Sequence, residues 1–234
     1  MDIKNLKVEA IILSKSSDIS YYGLTCRTIN SLKNSKGWDG NIIIVESELK
    51  TAFLQNGFSY PSCDMVFPET KFNYNKFLNI GISNLKDDTE WVLICNNDLF
   101  FTPSWWENMK KTVESYPEIL SFSALAPDWD LHKNIGSENI LEGYTVPIHV
   151  CGWCLLIHRS IIKLCELFDE SFPFWYQDND YACSLQAKNV RHALALSSRV
   201  YHMVNSSHEL MGDDRKLMTY DQQAIFFNKW KKYS

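Results

Sequence analysis

The sequence predicts an α/β domain built on a mostly parallel sheet, and three observations predict it. Short runs of consecutive apolar, largely β-branched residues recur at 8–13, 41–45, 64–67 and 91–95, as in strands buried on both faces. Stretches with apolar residues at helical spacing lie between them, so that strands and helices alternate. The runs are followed by polar residues: Ser14 with Asp18, then Glu46, then Glu69 with 73–76, then Asn96-Asn97-Asp98. Open parallel sheets bind ligands at such ends.

The elements follow in order. After the strand at 8–13, SKSSD leads into a helix carrying Leu24, Ile29 and Leu32. Gly37-Trp38-Asp39-Gly40 is a turn before the strand at 41–45, and 64–67 is a short third strand. Residues 72–86, FNYNKFLNIGISNLK, have helical spacing and precede the strand WVLIC at 91–95. Thr102 is placed to cap a helix over 103–116, with Pro103 at its first position and Trp106, Met109 and Val113 facing inward. The second half is less regular. It reads as a strand at 119–124, a loop over 127–142, a strand at 146–150, apolar CLLIH, helices at 160–167 and 181–188, and a strand-like run from Leu194. No repeat or linker divides the chain, so residues 1–234 are taken as one domain with a small antiparallel portion.

Composition narrows the function. Of 234 residues, 45% are hydrophobic and 14% aromatic, enough for one sizeable core. The net charge of -5, with 23 basic residues dispersed among 28 acidic ones, offers no cationic face and argues against nucleic acid as a partner. No apolar run approaches the roughly 20 residues needed to span a bilayer, so a cytoplasmic, soluble protein is expected. The seven cysteines are scattered among apolar neighbours. Cys151-Gly152-Trp153-Cys154 has redox or half-zinc spacing but no second half, so packing is expected of both sulfurs.

Three stretches could carry chemistry. Acids at these strand ends, Glu46, Glu69 and Asp98 among them, suit an anionic phosphate poorly unless a divalent cation bridges carboxylate and phosphate oxygens. Asn96-Asn97-Asp98 supplies hard oxygen ligands, although taken alone it reads more readily as an Asx turn. Phe174-Trp175-Tyr176-Gln177-Asp178-Asn179-Asp180-Tyr181 sets two carboxylates among aromatic rings, which raise a carboxyl pKa and suit sugars; Asp178 is a general base or a helix N-cap. His202 and His208 flank a polar loop, as ligands or as structural residues.

In sequence order, IIIVES ending at Glu46, FNYNKFLNIGI with Asn79-Ile80-Gly81, LICNNDLFFTPSWW, and CGWCLLIHRS through Gln177-Asp178-Asn179-Asp180 to His202 and FFNKWKKY form a recurring set. They resemble the family 2 type of GT-A fold glycosyltransferases, small rhamnosyltransferase-like members included, along nearly the whole chain. The resemblance implies a Rossmann-like nucleotide-sugar half (1–101) and an acceptor half (102–234). It implies inverting transfer from a UDP-sugar, with a dTDP-sugar second, to a glycan or glycoconjugate acceptor. Asp178 would be the base, and Asp98 and His202 the ligands of Mn2+ or Mg2+. Ser14, Glu46, Lys76, Asn79, Asn96 and Asn97 would contact the donor; Trp153, Trp175, Asp180 and His208 would contact the acceptor, with Trp129 a further ring. Asn96 and Gln177 depart from the acids usual in such motifs. A glycoside hydrolase using Asp98 and Asp178, and a non-catalytic nucleotide- or sugar-binding module, are the alternatives. The basic aromatic C-terminal end, Trp230 to Tyr233, either docks on the core or touches a lipid surface.

Overall fold

The computed structural model describes residues 6–133, 135, 138–203 and 214–231. In the first half, β1 (Val8–Ser14), β2 (Asn41–Glu46), β3 (Asp64–Val66) and β4 (Trp91–Cys95) pair in parallel in the order β3-β2-β1-β4. Their apolar runs are continuous because both faces are covered. Ala10, Ile12, Ile42 and Ile44 enter the core on one face, and Ile11, Ile43 and Val45 enter it on the other.

Helix α1 (Ile19–Lys33) starts at Asp18, whose Oδ1 accepts the N–H groups of Ser20 and Tyr21 at 2.7 and 3.2 Å. Asp18 is therefore a helix cap. The six-residue α2 (Lys50–Gln55), which the sequence reading missed, is too short to show a period. In α3 (Tyr74–Ser83), Gly81 lets the helix close on the sheet, since an added Cβ would stand 2.7 Å from Ile11 Cγ2. That packing accounts for the glycine of Asn79-Ile80-Gly81.

The second half extends the same sheet. Its elements are β5 (Leu99–Phe101), α4 (Trp105–Ser115), β6 (Ser121–Leu125), β7 (Ile140–Glu142), β8 (Cys154–His158), α5 (Arg159–Leu164), α6 (Gln177–Ala187), β9 (His192–His202) and α7 (Asp214–Trp230). The sheet runs on as β4-β8-β6-β9-β5, with β7 also on β9. β8 is antiparallel to both β4 and β6. The expected mostly parallel half and antiparallel portion are both present. Among the described residues, no helix is long and apolar enough to cross a membrane.

Three expectations change. The helix after Pro103 is capped at Ser104, while Thr102 donates its hydroxyl to the Arg199 carbonyl at 2.9 Å, because β5 has brought it alongside β9. Residues 146–150 form turns rather than a strand: the His149 and Val150 N–H groups fold back to the Thr145 carbonyl, and Pro147 has no N–H to give a ladder. Asp178 lies within the first turn of α6, whose cap is Tyr176, so the N-cap alternative for Asp178 falls away. The cysteines behave as expected of packing. Cys95, Cys151, Cys154 and Cys165 are buried, free thiols.

Candidate active site

The carboxyl ends of β1, β2 and β4 are joined by a buried polar network. Glu46, 0% exposed, accepts the backbone N–H groups of Ser16 and Glu48 on Oε1 at 3.0 and 2.9 Å, and the Ser16 hydroxyl on Oε2 at 2.6 Å. The Tyr60 hydroxyl lies 2.7 Å from Ser16 Oγ, and burial pushes its pKa up. Ser14 Oγ is 3.0 Å from Thr25 Oγ1, which in turn accepts from Asn97 Nδ2 at 3.0 Å. Ser14 and Glu46, expected as donor contacts, instead point inward and tie the strand-end loops together. Their hydrogen bonds shape this edge of the sheet. Replacing Glu46 by Gln turns one acceptor into a donor facing N–H or O–H groups, and should cost about 1–3 kcal/mol in a denaturant melt.

At the end of β4 the chain turns and re-enters the sheet as β5. Asn96 stays in the ladder, its N–H donating to the Trp153 carbonyl at 2.9 Å. The Asp98 carbonyl accepts from Met203 N–H at 2.8 Å, and Leu99 pairs with His202. This pairing brings together residues 104 positions apart: Asp98 Oδ1 and His202 Nε2 are 3.1 Å apart. Asp98 is 3% exposed, and His202 Nδ1 is buried with no hydrogen bond among the described residues. Trp153 stacks on the imidazole at 5.5 Å and 23°.

Among the described residues no cluster of three or more His, Cys, Asp or Glu could hold an ion. Asp98 and His202 bring one oxygen and one nitrogen donor to within 3.1 Å of each other, donor types that a divalent ion such as Mn2+ accepts, so the pair could take part in holding such an ion.

Asp178 forms the other side. Its carboxyl presses on the Gly152 backbone so closely that a Cβ added there would lie 1.9 Å from Oδ1. Burial raises its pKa from 3.8 to about 6. Behind Gly152, the Cys151 N–H donates to Ser123 Oγ at 2.9 Å, and His192, which burial holds neutral with a pKa lowered to about 4, spans Ser121 and Ser123. This network fixes the approach of Gly152. Tyr74, which the sequence reading missed, is buried near both carboxylates. Its phenol is driven up by burial first, then by Asp178, Cys95 and Asp98. Gly152, against Asp178, and Trp153, stacked on His202, are consecutive, so the two acids flank one stretch of chain although 80 residues separate them in sequence.

Other expected contacts stand elsewhere. Asp180, 1% exposed, receives the Lys229 ammonium and the Trp230 indole N–H, both at 2.8 Å, so it anchors α7 rather than an acceptor. Asn79 donates to the Phe168 carbonyl and to Glu170 at 3.1 and 3.0 Å, holding α3 to that turn rather than a donor. Lys76 reaches Thr70 at 3.4 Å. Trp153 is 9% exposed, a wall of the site more than a platform, with Trp129 tilted against it. Trp175 is half-buried. His208 lies outside the described residues. Docking of the C-terminal helix on the core, the first of the two readings for it, is what Lys229 and Trp230 do.

No protein-family model and no characterised relative matches the chain in sequence. In structure it is similar to S. aureus TarS, with a TM-score of 0.62 and 11% identity over 85% of this chain and 37% of TarS. TarS 1-349 gives 0.60 and 12% over 82% and 58%. GalNAc-T7, crystallised with UDP, GalNAc and Mn2+, gives 0.65 and 12% over 86% and 44%. These neighbours are glycosyltransferases of the GT-A fold, and the chain has that fold. It spans between 37% and 58% of their lengths.

Proposed function

We propose, with the GT-A fold as premise, that the chain is an inverting glycosyltransferase moving a sugar from a UDP-sugar to an acceptor hydroxyl on a glycan or glycoconjugate. The observation that carries this reading is geometric: Gly152 meets Asp178 and the adjacent Trp153 stacks on His202, which sets a carboxylate with a raised pKa near another paired with an imidazole. A single displacement needs that division: a base on one side of the anomeric carbon, charge neutralisation on the other.

In this mechanism Asp178 removes the acceptor proton as the acceptor oxygen bonds to the anomeric carbon and the bond from that carbon to the diphosphate oxygen breaks. Asp98 and His202 would hold Mn2+ or Mg2+, which when bound supplies positive charge to the leaving diphosphate. The neighbour crystallised with UDP and Mn2+ supports this donor class. The Glu46 and Ser14 network holds the nucleotide edge rigid, and Trp153 orients His202.

Calorimetric titration of UDP with and without Mn2+, followed by turnover of a panel of UDP- and dTDP-sugars, tests the reading. Metal-dependent UDP binding and turnover of one donor are expected. Metal-dependent binding with no turnover of any donor would leave a binding module, and no nucleotide binding would sink the proposal. Gly152→Ala should retain UDP affinity while losing about 10²-fold in kcat, because the new methyl displaces the Asp178 carboxyl by about an ångström.

A further inference from the structure

The segment that carries Asp178 is strained and is held from outside. Tyr176, two residues before it, caps α6 in the left-handed region at φ 62° and ψ 2°, with no side-chain cap bond. An aromatic residue adopts that conformation only when its surroundings impose it. One face of α7 supplies the surroundings. Gln222, 3% exposed, accepts on its Oε1 the consecutive backbone N–H groups of Phe174 and Trp175 at 3.0 and 2.6 Å. Phe226, one turn further along α7, stacks on the Tyr176 ring at 5.3 Å and 29°. Lys229 and Trp230, another turn on, reach Asp180 beyond the carboxylate. On the opposite side the Tyr74 N–H takes the Pro173 carbonyl at 2.7 Å.

Spaced at 222, 226 and 229–230, these residues form a helical stripe that grips the chain on both sides of Asp178 and leaves its carboxyl to face Gly152 and Tyr74. We infer that Gln222 and Phe226 are positioning residues for the Asp178 base. Neither acts on the acceptor directly; they fix the direction from which the carboxyl meets its proton. The inference rests on Asp178 being the base.

The test compares Gln222→Leu, Gln222→Glu and Phe226→Leu with the wild type. Three quantities are read: turnover of a UDP-sugar that the wild type cleaves, UDP affinity in Mn2+, and the Asp178 titration midpoint by carboxyl 13C NMR. Gln222→Leu should lower kcat about 10–100-fold with UDP affinity unchanged. It should also move the midpoint down toward ordinary carboxylate values as water reaches the group. Gln222→Glu keeps an acceptor for both N–H groups and should restore kcat to within about threefold of wild type. A folded Gln222→Leu with wild-type kcat and midpoint overturns the inference. If that variant does not fold, Phe226→Leu decides: its ring is only partly buried, and wild-type kcat there overturns the clamp while a selective kcat loss supports it. Asp178→Asn runs alongside. Full turnover by Asp178→Asn removes the base reading itself, whereas an inactive Asp178→Asn beside a fully active Gln222→Leu removes the clamp alone.

Discussion

Asp178→Asn is expected to abolish transfer and to stabilise the protein at the same time. A positioned general base contributes about 10²–10⁴ in rate, so kcat should fall by about 10³-fold or more, with UDP affinity kept. The stability change follows from the same burial. Asp178 holds its proton more tightly in the folded protein, with a pKa of about 6, than at the ordinary 3.8 of an unfolded chain. The folded state is therefore favoured by this group below pH 3.8 and loses that advantage as pH rises through about 6. Two pKa units correspond to on the order of 3 kcal/mol, and the half-buried position of the side chain makes that an upper figure. The neutral amide does not incur this charge burial. Thermal melts should show Asp178→Asn above wild type at pH 8, with the gap closing toward pH 4. In the wild type, kcat/KM should fall about tenfold per pH unit below about 6, as the active carboxylate is protonated. Loss of stability at pH 8 in the amide variant would instead make Asp178 a structural residue.

Local signals carried the parallel half, because five consecutive apolar residues such as Trp91 to Cys95 have few fates other than a buried strand. They did not carry β5. Leu99 to Phe101 is three residues long and exists by pairing with β9 about a hundred positions away, which no window around it reveals. The reverse error at 146–150 has the same origin. Val146, Ile148 and Val150 alternate like a strand, yet Pro147 removes a donor and the chain turns.

At the candidate site, the sequence singled out Asp98, His202 and Asp178 from polar residues beside apolar elements, and the structure pairs Asp98 with His202 and sets Asp178 against Gly152. Ser14 and Glu46 were placed at the correct edge but facing the wrong way. A sequence gives a strand's end, while the direction of a buried carboxylate depends on which donors arrive, here Ser16 and Glu48. Tyr74 and Gln222 carried no signal. Their importance comes from the approach of 74 to 98 and 178, and of 222 to 174 and 175.

The metal pair provides the second large effect. Asp98→Asn and His202→Ala should each weaken UDP binding in Mn2+ by more than the about 10–100-fold that losing an outer partner of a metal ligand costs, while metal-free UDP binding stays at the wild-type level. The separation is expected because the proposed nucleotide edge is held by its own bonds, from Glu46 and Ser14 to Ser16, Tyr60 and Thr25. Removing both should cost less than the sum of the two single losses, since one ligand alone holds the ion poorly and the first substitution already forfeits most of the shared site. Asn96 gives the opposite test. Its backbone is fixed by the bond to Trp153, so Asn96→Asp adds a carboxylate to the turn that carries Asp98 without changing the strand, and should tighten Mn2+-dependent UDP binding. Titrations of the three single variants, the double variant and wild type at constant pH and ionic strength read all of this. If UDP binds wild type and Asp98→Asn equally in Mn2+, the 3.1 Å contact between Asp98 and His202 is a structural ion pair, and the leaving diphosphate must be neutralised by other groups.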